Sequence, residues 1–510
     1  MFSRPLALLA IFVVAIAFTV VAALGSGSAS AGPDMRARGA VAVPADALAY
    51  ASANADHQDA AWLALERLAQ RVPGGVDAVR QVSRMVGADS ANGRVLRAMG
   101  GDISVGLLGV DVAGGADRPT ADAVLVATAA DGPALIREFE AIGFVQAPAI
   151  DGAPTWEQGA YAATVEGSVV IVATSRATLR AAIEADNGSA PSLADQAPFK
   201  ATLAQLPDDP LAIAYISPPR LSGLLRTAAA LVPDEQFDGR PNATKLIADF
   251  AKQIDGVRGL GLAVGAEDGG LRIAVASDFD QAKLATFGAS TVQSHVPTIV
   301  ERVPADAIGF VVFRDLGPRL LVVIDALVAQ SPQISGHIRS LENASDLSLR
   351  REIVPALSGQ QAVVVLAGDR PRGALLLAPP APAAADLTLV KAMRIVQAAG
   401  RGPDASGVTS GTISDLAVTW QPGSDLLAIG NAPQLAVAPE LSVSQSGAYR
   451  AITSQAGVPD SITGLAYLDA ARVFTQAKAK GRAVPSMASA IRGVVAWSTA
   501  TSASVFIAIG

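Results

Sequence analysis

The chain has 510 residues, 51% of them hydrophobic and 17% charged, and its formal net charge is −7. This length predicts two or three domains, and the composition excludes a disordered chain. The acidic balance, the lack of a basic block and an aromatic content of 5% argue against nucleic acid as a partner.

The first predicted element lies at the N-terminus. Leu6–Leu24 is an uncharged apolar run that follows Arg4, and Ala29-Ser30-Ala31 fits a cleavage site. Residues 1–31 are therefore predicted to be either a signal peptide or an uncleaved membrane anchor, and both alternatives stay open. Because either one exports the rest of the chain, we expect an extracytoplasmic protein that is secreted or anchored to the cell membrane by residues 6–24.

The residues that follow, 32–42, are predicted to be a flexible linker. The chain has no cysteine, which excludes disulfides, thiolate metal ligands and cysteine nucleophiles. An exported chain of this size is then held together by its hydrophobic cores alone.

The stretch V-P-A-D-A occurs twice, at Val43–Ala47 and at Val303–Ala307. A series of matched positions follows each copy in the same order, and their offset falls in steps from 260 to 234 residues. Insertions and deletions in loops of duplicated domains produce such a series. The sequence thus predicts two tandem homologous domains, 43–278 and 303–510, joined by a connecting helix at 279–302.

One set of matched positions forms a helical face in each half. Trp62, Leu65, Leu68 and Ala69 correspond to Leu321, Ile324, Leu327 and Val328, at an offset of 259 residues. Their spacing of three and four residues is typical of the buried side of a helix.

The remaining elements of the first half follow from apolar runs and turn signals. Strands are predicted at 46–53, 103–111, 121–128, 161–166, 169–174, 211–217, 257–266 and 271–277. Helices are predicted at 58–71, 76–86, 132–142, 176–186, 196–205, 218–231 and 244–254. Turn sequences at 166–167 and 267–270 predict two hairpins, which indicate antiparallel pairing. The predicted fold class is therefore α+β, with a mostly antiparallel sheet packed with helices in each domain.

Three stretches, Val43–Tyr50, Asp208–Ser217 and Val257–Asp278, resemble an actinobacterial exported or envelope family catalogued as domain of unknown function 3352. The resemblance covers nearly the whole chain after the N-terminal segment. It implies an architecture and a location outside the cytoplasm, and the family brings no known catalytic residues to transfer.

The sequence contains no recognised metal-binding pattern. His57, His295 and His337 are the only histidines and lack partner ligands at a recognised spacing, which favours surface or capping roles. Asp278-Phe279-Asp280 begins like a calcium loop but lacks the later ligands, so a strand end that leads into a helix N-cap is favoured.

Catalytic and phosphate-binding patterns are equally weak. Gly259–Gly265 resembles a dinucleotide fingerprint but lies inside a predicted strand. Asp46 and Asp306 recur after a proline, where a turn carboxylate that bonds its own backbone explains both. Arg258 and Arg492 recur at a strand start, which favours an ion pair over an anion site. We predict no catalytic, cofactor-binding or metal-binding residues, and no cofactor.

The sequence therefore favours a non-enzymatic binding or structural module of the bacterial envelope. Two alternatives stay open: a carrier of lipid or another apolar ligand, suggested by the apolar and aromatic-poor composition, and an enzyme with an unrecognised site. The expected partners are the membrane, through residues 6–24 if they are not cleaved, and an apolar ligand or an envelope partner of unknown identity.

Overall fold

A computed structural model of the chain describes residues 38–54, 59–77, 95, 98–111, 120–129, 131–230, 256–280, 282–283, 293–330, 332–368, 372–398, 409–413, 416–420 and 426–510. The chain divides into two compact units, Met1–Phe287 and Gly288–Gly510. Each unit combines helices with an antiparallel sheet, so the fold class is α+β, as predicted.

The first unit is built on ten described strands. They are β1 (Ala49–Asn54), β2 (Met99–Asp111), β3 (Thr120–Ala129), β4 (Val145–Ile150), β5 (Ala153–Gln158), β6 (Tyr161–Glu166), β7 (Val169–Ala173), β8 (Ala212–Ile216), β9 (Val257–Glu267) and β10 (Gly270–Phe279). Their order in the sheet is β4-β5-β6-β7-β3-β2-β1-β8-β9-β10. The helices are α1 (Arg38–Val41), α2 (Ala60–Arg71), α3 (Gly132–Ala141), α4 (Arg176–Asp186), α5 (Ala197–Leu203) and α6 (Pro218–Ala230).

Local signals explain several of these elements. Both predicted hairpins are confirmed, since β6 turns into β7 at Gly167, whose φ is 60°, and Glu267 pairs with Gly270 between β9 and β10. Helix α2 begins after Asp59, whose carboxylate accepts the Ala61 N–H at 2.8 Å and so satisfies a free donor of the first turn.

The second unit has nine described strands. They are β11 (Ala307–Arg314), β12 (Gln360–Leu366), β13 (Arg372–Ala378), β14 (Thr409–Ile413), β15 (Leu416–Trp420), β16 (Leu427–Gly430), β17 (Gly464–Leu468), β18 (Ile491–Ser498) and β19 (Ser502–Ile509). The helices are α7 (Leu316–Gln330), α8 (Pro332–Ser345), α9 (Val354–Ala356), α10 (Pro382–Ala398), α11 (Gly447–Gln455) and α12 (Ala470–Ala479).

The strand order of this second sheet is β14-β15-β16-β13-β12-β11-β17-β18-β19. It repeats the order of β5-β6-β7-β3-β2-β1-β8-β9-β10 strand for strand. This correspondence is what the predicted duplication requires.

The repeated V-P-A-D-A forms the turn that leads into the first strand of each sheet. The Ala47 N–H donates to the Pro44 carbonyl, and the Ala307 N–H donates to the Pro304 carbonyl, both at 3.1 Å. Asp46 of the first copy and Asp306 of the second are both exposed. The expected turn is present, but the expected carboxylate bond was wrong, because main-chain atoms close the turn and the aspartates face solvent.

Each turn also pairs with a distant segment of its own unit. Pro44 bridges to Ser192, and Pro304 bridges to Ser442. Each of these serines opens a capping box, completed by Asp195 in the first unit and by a glutamine in the second. The sequence comparison did not match these segments, although a serine followed three residues later by an acid or amide was the available signal.

A trio of aromatic rings lies beneath each first strand. In the first unit the Phe199 ring lies 5.6 Å from Tyr50 and 5.0 Å from Tyr215, in edge-to-face contacts. In the second unit Phe310, Tyr449 and Tyr467 form the corresponding trio, with centroids 5.1–5.8 Å apart. Both trios belong to the main hydrophobic core of their unit or pack against it.

Three predictions about the elements need correction. Strands β4 and β5 were not predicted, because β4 is mostly exposed and lacks an apolar run. Residues 32–42 are not a flexible linker throughout, since α1 forms within them and Ala40 and Ala42 are fully buried in the core. Within 279–302, residues 298–302 form a 3₁₀ helix that buries Ile299 and Val300 in the second core, so they do not belong to a connecting helix.

Some predicted elements lie outside the described residues. They are the N-terminal segment 1–31, the helix 244–254 and most of the helix 76–86.

Candidate functional site

Each sheet has two faces, and one face of each sheet packs on a large core. In the first unit this core contains Tyr50, Phe199 and Tyr215, and in the second it contains Phe310 and Trp497. The two units differ on the opposite face, which we call the second face.

In the first unit the second face is covered over most of its width. A second hydrophobic cluster buries Trp62, Leu135, Phe139 and other side chains against it. The Trp62 indole N–H donates to the Asn54 carbonyl at the end of β1 (2.8 Å), and α2 lies against β9. Exposed apolar side chains on this face include Leu260, Ile273 and Val275, which lie on the outer strands β9 and β10.

In the second unit the centre of the second face is open to solvent. Four apolar side chains on β11, β12 and β17 are 37–46% exposed, namely Val311, Val363, Val365 and Leu468. The cluster that covers this side of the sheet is much smaller and lies at β13 and β16, where it buries Ala356, Leu377, Ala385 and Leu427. By contrast, the first-unit positions that correspond to Val311 and to Ala466 are Ala51 and Ala214, and each is only 4% exposed.

We call the surface formed by Val311, Val363, Val365 and Leu468 the open face. Strand register places its side chains in two rows. The first row runs Val363, Val311, Ala466 and Ala496, and the second runs Val365, Gly309, Leu468 and Val494. At the usual spacing of neighbouring strands, each row is about 14 Å long.

Gly309 leaves a depression in the middle of the second row. A Cβ at this position would lie 2.9 Å from the Tyr467 carbonyl oxygen and 3.4 Å from Leu468 Cδ1, so a larger residue fits poorly. The resulting groove has a volume of about 390 Å³. It is lined by Ile308, Gly309, Phe310, Val311, Val363, Val365, Ala466, Tyr467, Leu468, Val494 and Ala496.

The chemistry of this groove is apolar. The lining residues that the structure describes carry no charged group, and the Tyr467 ring is held in the core, where burial raises its pKa above the usual range. Such a surface offers no general acid, base or nucleophile. It does offer a water-exposed hydrocarbon surface, whose burial by a ligand is favourable.

Helix α7 follows β11 and is also poorly buried. Leu320, Val322 and Leu327 are 36–45% exposed, although most residues of this helix are apolar. It packs on α8 and α9, whereas its counterpart α2 packs on a strand.

Two other clefts of the second unit are polar. One, of about 410 Å³, lies beside Arg302, Arg314 and Gln360. The other, of about 760 Å³, lies among α7, α8 and α10, and it contains the ion pairs of Arg350 with Asp325 and of Lys391 with Glu352. Lys391 Nζ lies 2.7 Å from Glu352 Oε1, and this pairing lowers the pKa of Glu352 and raises that of Lys391.

The residues singled out as metal-site candidates are dispersed. His295 is buried, so the expected surface or capping role was wrong for it; its backbone pairs with Ile462, and burial followed by the charge of Arg314 lowers its pKa. His337 is exposed on α8, and its Nδ1 lies 2.9 Å from the Gln333 carbonyl oxygen. His57 lies outside the described residues.

The acidic pair at the end of β10 has a structural role. Asp278 accepts a hydrogen bond from Arg258 at 2.5 Å. Asp280 accepts the N–H groups of Ala282 and Lys283 at 3.1 and 3.2 Å, which is helix-capping geometry. Among the described residues, no three acidic or histidine side chains lie close enough together to hold a metal ion.

The glycine-rich stretch 259–265 lies within β9 and does not open a helix. A Cβ at Gly259 would lie 2.4 Å from Thr202 Oγ1, and one at Gly261 would lie 2.7 Å from Thr202 Cγ2. These two glycines therefore allow α5 to approach the sheet, which explains the pattern without a phosphate.

The open face was not predicted from the sequence. The available signal was the pair of continuous apolar runs in β11 and β12, where the counterpart strand β1 carries small and polar residues. A run of this kind predicts a strand buried on both faces, and only the packing shows that one face is uncovered.

Residues 144–493 match the model of a family described as a protein of unknown function, DUF3352. The chain therefore belongs to this family. No curated protein matches the chain.

Similar solved structures include three crystal forms, III, IV and I, of TP0453. They are 11%, 10% and 10% identical over 52%, 48% and 52% of this chain and 90%, 81% and 89% of theirs, with TM-scores of 0.25, 0.24 and 0.26. TM-scores this low do not establish a shared fold. In the part of the chain that the structure describes, no helix is long and apolar enough to cross a membrane; the predicted segment 6–24 lies outside that part.

Proposed function

We propose that the chain is an exported, non-enzymatic binding protein of the bacterial envelope, and that its second unit binds the hydrocarbon chain of a lipid on the open face. The observation that carries this proposal is the exposure of Val311, Val363, Val365 and Leu468 in the centre of the sheet. The corresponding surface of the first unit is less exposed, since Ala51 and Ala214 are buried there and Val105, Leu107 and Ile216 are half-buried.

The groove has the chemistry of a hydrocarbon site. Its volume of about 390 Å³ falls within the range of about 300–1,000 Å³ that is usual for small-molecule sites. The two parallel rows of aliphatic side chains suit a ligand that is long and apolar. Covering these four side chains contributes on the order of 1 kcal/mol each, since each is less than half exposed.

Export is supported by the sequence of the N-terminus. An apolar run with a preceding arginine and a following small-residue site is typical of a signal or anchor segment. We propose that the mature protein is secreted or remains tethered to the cell membrane by residues 6–24. Cell fractionation followed by N-terminal sequencing distinguishes the two, because a cleaved chain begins near residue 32.

Binding is tested with oleate as the probe and delipidated protein. Val363→Asp places a charge in the groove and is expected to weaken oleate binding at least tenfold, which corresponds to about 1.4 kcal/mol. The matched control is Val145→Asp, because Val145 is also an exposed strand valine (66% exposed) but lies on β4 of the first unit. Equal affinity of the two variants, or no oleate binding by the parent chain, would reject the proposed function.

A further inference from the structure

We propose that the helix pair α7 (Leu316–Gln330) and α8 (Pro332–Ser345), called the hairpin below, is a lid that closes over the open face when the site is empty. This inference rests on the proposed function, since it describes how the same apolar site is regulated. Two apolar surfaces of one unit, the open face and the exposed side of α7, are both in contact with water, and closure would bury each against the other.

The first unit shows the closed arrangement. Trp62 and Leu68 of α2 are 3% and 2% exposed beside their sheet. The matched residues of α7 are Leu321, which is partly exposed, and Leu327, which is 45% exposed. Equivalent apolar positions are thus buried in one copy and partly exposed in the other.

The hairpin has the dimensions of a cover. Helix α7 has 15 residues and is about 22 Å long, whereas the rows of the open face are about 14 Å long. One helix therefore spans the four strands of the groove.

Both ends of the hairpin carry an unusual backbone conformation. Asp315, just before α7, has a φ of 58°, and Asp346, just after α8, has a φ of 48°. Left-handed conformations are uncommon for residues other than glycine, although aspartate adopts them more readily than most, and they cluster at active sites, ligand clamps and switch regions. In the part of the chain that the structure describes, the only other such residue is Asp151.

The connection to β11 explains why the hairpin stands open. A single residue, Asp315, separates β11 from α7, whereas five residues separate β1 from α2. The Asp315 carboxylate accepts the Gly359 N–H at 2.9 Å, which fixes this short connection. Closure would unwind Leu316–Pro318, which restores a connection of similar length. The Gly317 N–H would give up its bond to the Leu357 carbonyl (2.8 Å), and the proline has no N–H to lose.

A weak latch holds the open position. Asp325 of α7 forms an ion pair with Arg350, and their side chains are 48% and 61% exposed. Exposed ion pairs of this kind contribute little and are screened by salt. Removing Arg350 should therefore shift α7 modestly toward closure without disturbing either core.

The chain has no cysteine, so paired spin labels can be placed without a background. Ser340→Cys on α8 and Ser461→Cys before β17 are both exposed positions and report the lid distance. Ser461→Cys with Lys478→Cys on α12 is the control pair, because neither residue belongs to the hairpin. Circular dichroism of each variant verifies folding.

We expect the lid pair in delipidated protein to give two distance populations. Arg350→Gln should increase the closed population at least threefold, and in excess oleate only the open population should remain. The control pair should keep a single distance distribution under all of these conditions. A single, unchanged lid distance in the parent chain, in Arg350→Gln and in Asp315→Gly would overturn the lid.

The same samples separate the lid from the proposed function. If oleate binds in a manner that Val363→Asp abolishes while the lid distance never changes, the lid is wrong and the binding function stands. If the lid distance shifts with Arg350→Gln but oleate neither binds nor restores the open population, the hairpin moves and the ligand assignment is wrong.

Discussion

Leucine-to-alanine substitutions at the matched positions Leu68 and Leu327 should have very different effects on stability. Leu68 is only 2% exposed on α2, so Leu68→Ala removes buried methyl groups and leaves a cavity, at a cost of about 2–5 kcal/mol. Leu327 is 45% exposed on α7, so Leu327→Ala loses about half of the transfer free energy and leaves no enclosed cavity. We expect a cost below about 1 kcal/mol for it.

Urea unfolding is carried out in excess oleate, which holds the lid open, and is followed by circular dichroism. Both costs appear as shifts in the transition midpoint, provided that the slope of each unfolding curve stays constant. Leu320→Ala provides a second comparison: its cost in unfolding free energy should resemble that of Leu327→Ala, because Leu320 is 36% exposed on the same helix. Equal losses at Leu68 and Leu327 would refute the reasoning, because they would mean that α7 is packed in solution as tightly as α2.

Two further substitutions test the packing and the electrostatics. Gly359 has a φ of 84°, and a Cβ there would lie 2.3 Å from the Ala378 carbonyl oxygen, so Gly359→Ala should cost well over about 1 kcal/mol in urea unfolding. Gly481 has a φ of 70° but open space around it, so Gly481→Ala should cost only about 1 kcal/mol. The reverse ranking of the two costs would contradict the close contact at Gly359. Burial and Arg314 lower the pKa of His295, so the unfolded chain binds more protons below its usual pKa of 6.5, and the stability present above that pH should fall as the solution is acidified. His295→Leu should flatten this pH dependence of the urea midpoint, and an unchanged slope would show that other groups cause it.

The sequence allowed much of the architecture to be predicted, because strands and hairpins follow local patterns. The hairpin at Gly167 and the strand character of Gly259–Gly265 both come from residues close together in the chain. The turn at Pro44 was predicted correctly, but its hydrogen-bond acceptor was not: the Pro44 carbonyl accepts the bond, whereas the Asp46 carboxylate was expected to. Which of the two accepts depends on whether the aspartate faces solvent, and a local sequence pattern does not show this.

The candidate site could not be predicted in this way. Whether Val311 and Val363 are covered depends on the position of α7, and no local pattern in the helix reports that position. The α2 and α7 sequences match at their apolar positions, yet the two helices pack differently. The connection before each helix also differs, since it is five residues long in the first unit and one residue long in the second.

Methyl NMR of the chain, with leucine and valine methyl groups labelled and oleate added, tests the central claim most directly. The account predicts that shifts concentrate on Val311, Val363, Val365 and Leu468, while the buried Leu179 of the first core keeps its resonance. Saturable oleate binding with those four methyl resonances unchanged would contradict it.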